Sequence, residues 1–263
     1  MEGNLLKMRS ELANPVQYHL PVGSGKLYMN ELIGREIRFE YSGQINCIRC
    51  GRRTKTSFAQ GYCYPCFLKA PETSECVLKP ELCRAHEGIS RDMEWSRHHC
   101  LKDHIVYLSV TSGIKVGVTR MSQVPARWID QGARKAIKLA RTPNRYTAGL
   151  IEVFLKKHLA DKTNWRQMLK NELDTSIDLA GEKNRVIELL PEELAQYLSP
   201  DNEILELTYP VSAYPDKIKS TGFDKSPVIE GELAGIKGQY LIFKNGDVLN
   251  IRKHGGYKVG IIL

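Results

Sequence analysis

The sequence predicts an α+β protein, and three observations predict it: strand-like alternation near both ends, two cysteine knuckles around residue 50, and helical periodicity between residues 132 and 198. The chain has 263 residues, 42% of them hydrophobic and 26% charged. That is ordinary globular composition with ample material for a core, which excludes disorder as the main description. Length alone suggests about two domains, or one larger domain carrying inserted modules. The longest apolar runs, such as Tyr240-Leu241-Ile242-Phe243, fall far short of the roughly 20 residues that span a bilayer, so no membrane segment is expected. The start, Met1-Glu2-Gly3-Asn4, has neither the basic lead nor the apolar stretch of an export signal, and a cytoplasmic address is expected. Seven cysteines in a reducing compartment point to metal before disulfides.

Taken in order, residues 35–45 alternate through Ile37, Phe39 and Tyr41 and predict a half-buried strand within an N-terminal β segment, 1–44. A ribbon at 45–70 and a Cys/His-rich segment at 71–105 follow. Residues 105–118 read as a hairpin about Thr111-Ser112-Gly113. Residues 132–141 place Ala133, Ala136, Ile137 and Ala140 at helical spacing, and 147–160 do the same with Leu150, Ile151, Phe154, Leu155 and Leu159. Thr163 or Asn164 caps a further helix through Leu173, and Pro191 opens another. These elements form a domain over 106–199 with an acidic helical extension. Residues 200–263 return to β, as a small barrel or as strands completing a sheet with the segment near Phe39. There, 240–244 and 247–252 flank Asn245-Gly246, the pair that tolerates the positive φ of a two-residue turn.

Cys47-Ile48-Arg49-Cys50 and Cys63-Tyr64-Pro65-Cys66 are the metal signal. Each knuckle turns two thiolates toward one point, and two knuckles complete a tetrahedral sulfur shell for structural Zn2+. A redox-active Cys-x-x-Cys is the rival reading, which two copies so close disfavour. Four thiolates leave no open position, so such a zinc folds the module rather than doing chemistry. Cys76, Cys83 and Cys100 remain, with His86 the nearest fourth donor through Cys83-x-x-His86. They form a second zinc site or, alternatively, are buried small hydrophobes beside surface histidines.

Charge is segregated: residues 106–170 hold 13 basic and 3 acidic residues, and residues 171–209 hold 2 basic and 10 acidic ones. A concentrated basic block attracts polyanions by counterion release, which makes DNA or RNA a candidate partner through Arg120, Arg134, Lys135 and Arg145. The alternative is a basic face paired with the acidic block of the same chain. Ile105-Val106-Tyr107-Leu108, Lys115-Val116-Gly117, Arg127 and a helix carrying Glu152 resemble, in that order, the GIY-YIG nuclease superfamily. The resemblance covers roughly 106–170. It implies a small sheet with helices and a catalytic set of Tyr107, Lys115, Arg127 and Glu152, with Glu152 holding Mg2+ or Mn2+. Lys115 stands where that pattern has a second tyrosine, and no histidine follows Arg127 at the usual place. The chain as a whole is similar to an uncharacterised bacterial family of unknown function, DUF2797, through its Cys-rich middle, Lys-Val-Gly-Val-Thr-Arg, Arg-Trp-Ile-Asp-Gln-Gly-Ala and Asp-Lys-Thr-Asn-Trp-Arg. The expectation is a zinc-containing nucleic-acid-binding protein, either a metal-dependent nuclease or a binding protein without cleavage; a protein-interaction scaffold is the third reading.

Overall fold

A computed structural model describes residues 1–159, 164–172 and 177–263. Its chain divides into two compact units. The first comprises Met1–Leu68, Leu169–Asn171 and Thr208–Leu263; the second comprises Lys69–Met168 and Glu172–Leu207. Among the described residues no helix is long and apolar enough to cross a membrane.

The first unit is built on the long strand Glu36–Asn46, where Ile37 and Phe39 are buried as their alternation requires. It lies between Tyr257–Ile262 and Val228–Lys237, both antiparallel, so that Phe39 faces Ile261 on one side and Ile229 on the other. Segments from the two ends of the sequence thus share one sheet. The sequence pattern missed a separate meander of Arg9–Glu11, Gln17–Val22 and Gly25–Tyr28, whose short strands carry little periodicity.

The Asn245-Gly246 hairpin forms, but with a different turn. Tyr240–Phe243 pairs with Asp247–Asn250 in the register Ile242 to Val248, which leaves residues 244–246 as a three-residue loop. Gly246 takes φ +85°, its amide donates to the Phe243 carbonyl, and the Asn245 side chain accepts from the Asp247 amide. This is the longer hairpin solution in which only the glycine needs positive φ. The second strand stops at Asn250, because Ile251–His254 turns into a 3-10 helix capped by the Asn250 side chain.

The second unit carries a four-stranded antiparallel sheet in the order Ile204–Glu206, Lys135–Thr142, His104–Val110, Ile114–Arg120. The helix expected over 132–141 is the strand Lys135–Thr142. Ala136, Ile137, Leu139 and Ala140 are all fully buried, so both faces of that strand are covered and the period-2 signal is erased. Helix Arg145–Leu155 starts on an Asn144 cap, whose side chain accepts from the Thr147 amide. It packs Ala148, Ile151 and Leu155 against Val106, Leu108 and Val110. Helix Trp165–Lys170 follows Asn164, while Thr163 and Leu173, proposed as its bounds, lie outside the described residues. Glu192–Ala195 is a single helical turn after Pro191, and Leu179–Ile187 is a helix the pattern did not reveal.

Candidate metal centres and a polar cluster

The first cysteine cluster is made by the backbone. Cys47 closes the strand Glu36–Asn46, and Gly51, at φ +72°, turns the chain so that its amide donates to the Cys47 carbonyl. The second knuckle follows Gly61, whose conformation at φ +141° and tight fit against Ile48 leave no room for a side chain. Phe58 stacks on Phe67 at 5.6 Å and covers the hairpin between the knuckles. The Sγ atoms of Cys47, Cys50, Cys63 and Cys66 all lie within 4.8 Å of one another. Cys50 and Cys63 are 3.8 Å apart. A tetrahedron with metal–sulfur bonds of about 2.3 Å has edges of about 3.8 Å, so the group fits zinc as it stands. Burial pushes the Cys47 thiol up, but hydrogen bonds from the Cys63, Cys50 and Arg49 backbone outweigh it and bring it down to about 6. These residues can hold a structural zinc.

The second cluster is assembled from separate turns of the second unit. Cys76 sits on the 3-10 turn Glu75–Val77, Cys83 follows the turn Pro80–Leu82, and Cys100 caps helix Met93–His99. Their three sulfurs also lie within 4.8 Å of one another, and they too can hold zinc. His86 does not join them: its ring stacks on Tyr146 at 4.3 Å, and Nε2 lies 3.7 Å from Glu87. The fourth donor read from Cys83-x-x-His86 is therefore corrected by the turn Ala85–Glu87, which sends the imidazole to the start of helix Arg145–Leu155.

Arg145 serves this cluster rather than solvent. It is 8% exposed and donates to the Cys76 carbonyl at 3.1 Å and the His99 carbonyl at 3.3 Å, while its amide donates to the Cys100 carbonyl. Its positive charge favours the thiolate form of all three cysteines. Hydrogen bonds with Cys100 and Cys76 hold Cys83 far below the ordinary thiol range, while those with Cys100 and Cys83 push Cys76 far above it. Buried and bonded to these carbonyls, Arg145 presents its charge to the cysteine cluster, where the low-lying Cys83 thiol favours a cation beside it. His104 lies below, 1% exposed, with Nδ1–H donating to the Lys102 carbonyl; burial pushes it down to about 4.

Of the residues in the GIY-YIG resemblance, Gly117, Arg127 and Glu152 stand around Tyr107. A Cβ on Gly117 would stand 2.7 Å from the Tyr107 hydroxyl oxygen, so the glycine is what lets the phenol lie across the neighbouring strand. The hydroxyl donates to Gln131 at 2.7 Å, and Trp128 packs at 5.7 Å between centroids. Arg127 and Glu152 both act on the phenol, the first lowering and the second raising it, but burial is larger and takes it to about 12. Glu152 lies 3.4 Å from Lys156 on the next turn. Tyr107 is fully buried, and Lys115 is 5% exposed on the adjacent strand. The phenol therefore keeps its proton at neutral pH and is a fixed hydrogen-bonding group. Gln131 was missed in the sequence, although it stands four residues after Arg127, one helical turn away.

Part of the basic block is paired with acidic side chains of the same chain. Lys135 pairs with Glu206 at 2.8 Å and Lys138 with Asp201 at 2.7 Å, across the strands that join the basic and acidic segments. Arg141 pairs with Asp103. Arg134 is exposed, and Arg120 is half-buried, its charge opposed by burial and by Arg145.

A four-cysteine cluster in one unit, with a three-cysteine cluster and a sheet-and-helix polar site in the other, defines an α+β protein with two groups of sulfurs that could each hold a metal ion. The chain belongs to the family described as "Protein of unknown function (DUF2797)", whose model matches residues 34–259. No curated protein and no solved structure matches it.

Proposed function

We propose that this is a zinc-containing nucleic-acid-binding protein whose second unit uses a GIY-YIG-like site to hold a phosphodiester. The observation that carries the reading is the meeting of Tyr107, Gly117, Arg127 and Glu152, drawn from two strands and two helices, around one hydroxyl. Arg127 is the half-buried cation there and supplies the donors that match phosphate oxygens. Exposed Arg134 is a further cation of this unit, whereas Lys135 pairs with Glu206 and half-buried Arg120 and buried Arg145 lie toward the cysteine cluster. Buried Tyr107, pushed to about 12, favours binding without cleavage, because a general base at neutral pH needs a far lower value. The second reading, Mg2+- or Mn2+-dependent cleavage with Glu152 as the metal ligand, rests on that carboxylate standing in the same cluster.

The test is fluorescence anisotropy with labelled single-stranded, double-stranded and branched DNA and RNA, at several salt concentrations and with and without Mg2+. Binding that weakens linearly in log salt, with a slope about one unit shallower in Arg127→Gln, supports the proposal. Absence of binding at low salt overturns it. Strand scission that requires both Mg2+ and Glu152, lost in Glu152→Gln while affinity persists, selects the cleaving alternative.

A further inference from the structure

The three-cysteine cluster has an environment that the four-cysteine cluster lacks. A cavity of about 310 Å³ opens beside it, and Cys76, Cys83 and Cys100 all contribute to its wall. Its other walls are mixed: Leu82, Ile89 and Trp95 are apolar, while Glu75, Arg84 and Arg91 are charged, two cations to one carboxylate. That size is in the range of small-molecule sites. Among the described residues no histidine, cysteine or carboxylate brings a fourth donor atom within 4.8 Å of all three sulfurs. His86 is stacked on Tyr146 and Nδ1 of His99 donates to the Trp95 carbonyl.

We infer that Cys76, Cys83 and Cys100 form a second zinc centre whose fourth position faces this cavity and accepts a small exogenous thiol as thiolate. Three protein ligands with one open position is the arrangement of zinc sites that exchange ligands, in contrast to closed structural sites. A zinc held by three thiolates completes the regular four-sulfur shell when a fourth sulfur binds, which makes a thiol the matching class. Three thiolates and a divalent ion carry one net negative charge, and buried Arg145, clipped to the Cys76 and His99 carbonyls, offsets it, so a further anionic donor is tolerated. Leu82, Ile89 and Trp95 cover the carbon stem. Binding forms one metal–sulfur bond and breaks the metal–water bond, and the thiol proton leaves to solvent. No oxidant or reductant enters. The inference stands apart from the nucleic-acid reading, since it uses neither Arg127 nor Glu152.

The experiment is 113Cd NMR on the full chain, purified with a phosphine reductant, loaded with cadmium and titrated with 2-mercaptoethanol. Two resonances are expected. The four-sulfur one stays fixed, and the second moves saturably toward the four-sulfur position; Cys76→Ser removes only the moving signal. A second resonance that ignores the thiol overturns the inference, as does splitting of that signal by 15N of His86 or His104, or a single cadmium per chain. The two signals are separate in the unmodified protein, so the titration decides even where Cys76→Ser does not fold.

Discussion

The two cysteine clusters place their sulfurs equally close, yet they are built by opposite means. In the first, 20 residues of sequence contain all four ligands, and glycine turns with backbone amides aim them. In the second, two turns and the end of a helix spread over residues 75–100 supply the ligands, and Arg145 at the start of another helix ties Cys76 and Cys100 together. Local geometry makes a closed shell. Tertiary packing makes one with a side left for a cavity. A cluster of the first kind stands or falls with its metal, whereas one of the second kind is supported by the core around it.

Replacing a ligand breaks the comparison most strongly. Cys63→Ser should lose one zinc per chain by elemental analysis and unfold the segment 47–66, because structural zinc supplies about 10 kcal/mol or more of folding free energy in small modules. Cys83→Ser should also lose one zinc but retain the sheet His104–Arg120 and its cooperative melting, because Val106, Leu108 and Ile151 form that core without it. Equal loss of cooperativity in both variants would remove the distinction.

The next effect is on pH. His104 in the second unit is pushed from 6.5 to about 4 by burial, so between those values only the unfolded chain takes up the proton. Stability should therefore fall as pH falls through that window, by about 3 kcal/mol at most. His104→Asn should flatten this part of the profile in chemical denaturation; an unchanged acid limb would show that His104 is not buried neutral. Somewhat smaller is Gly149→Ala. A Cβ there would stand 2.2 Å from the Glu81 amide nitrogen and 2.5 Å from the Pro80 carbonyl carbon, both backbone. The cost should be about 1–3 kcal/mol, with the second metal site loosened and the ribbon untouched. Lys79→Ala, which removes the exposed pair with Glu75 beside Cys76, should leave the melting temperature within error of the parent.

How far the sequence could be read follows the same division. The strand Glu36–Asn46 and the helix Arg145–Leu155 show their period because one face of each is less buried than the other, whereas the hairpin of His104–Val110 with Ile114–Arg120, whose first strand is buried throughout, was legible from β-type runs on either side of Thr111-Ser112-Gly113. Lys135–Thr142 hid because both its faces are covered and two of its buried residues are alanines, which also suit a helix. The first knuckles were legible because spacing alone determines them. The surroundings of the second cluster were not: His86 was nearest in sequence, but only the packing of Tyr146 and Arg145 decides which groups meet the sulfurs. The cross-strand partner of Lys135, Glu206, is 71 residues away in the sequence and was legible only once the strands were paired.

One feature of the first unit bears on how the protein is made. The strand Glu36–Asn46 needs Val228–Lys237 and Tyr257–Ile262 as its two neighbours, and both are synthesised after the entire second unit. At roughly 5–20 residues per second, the strand emerges from the ribosome some tens of seconds before its partners. During that interval its two hydrogen-bonding edges are open to any other extended segment. The second unit has its whole sheet and core available before then. Its birth order makes the first unit the later of the two to complete its sheet, and Arg38, Glu36 and Glu40 place charge on the waiting strand where a neighbouring nascent chain would otherwise add.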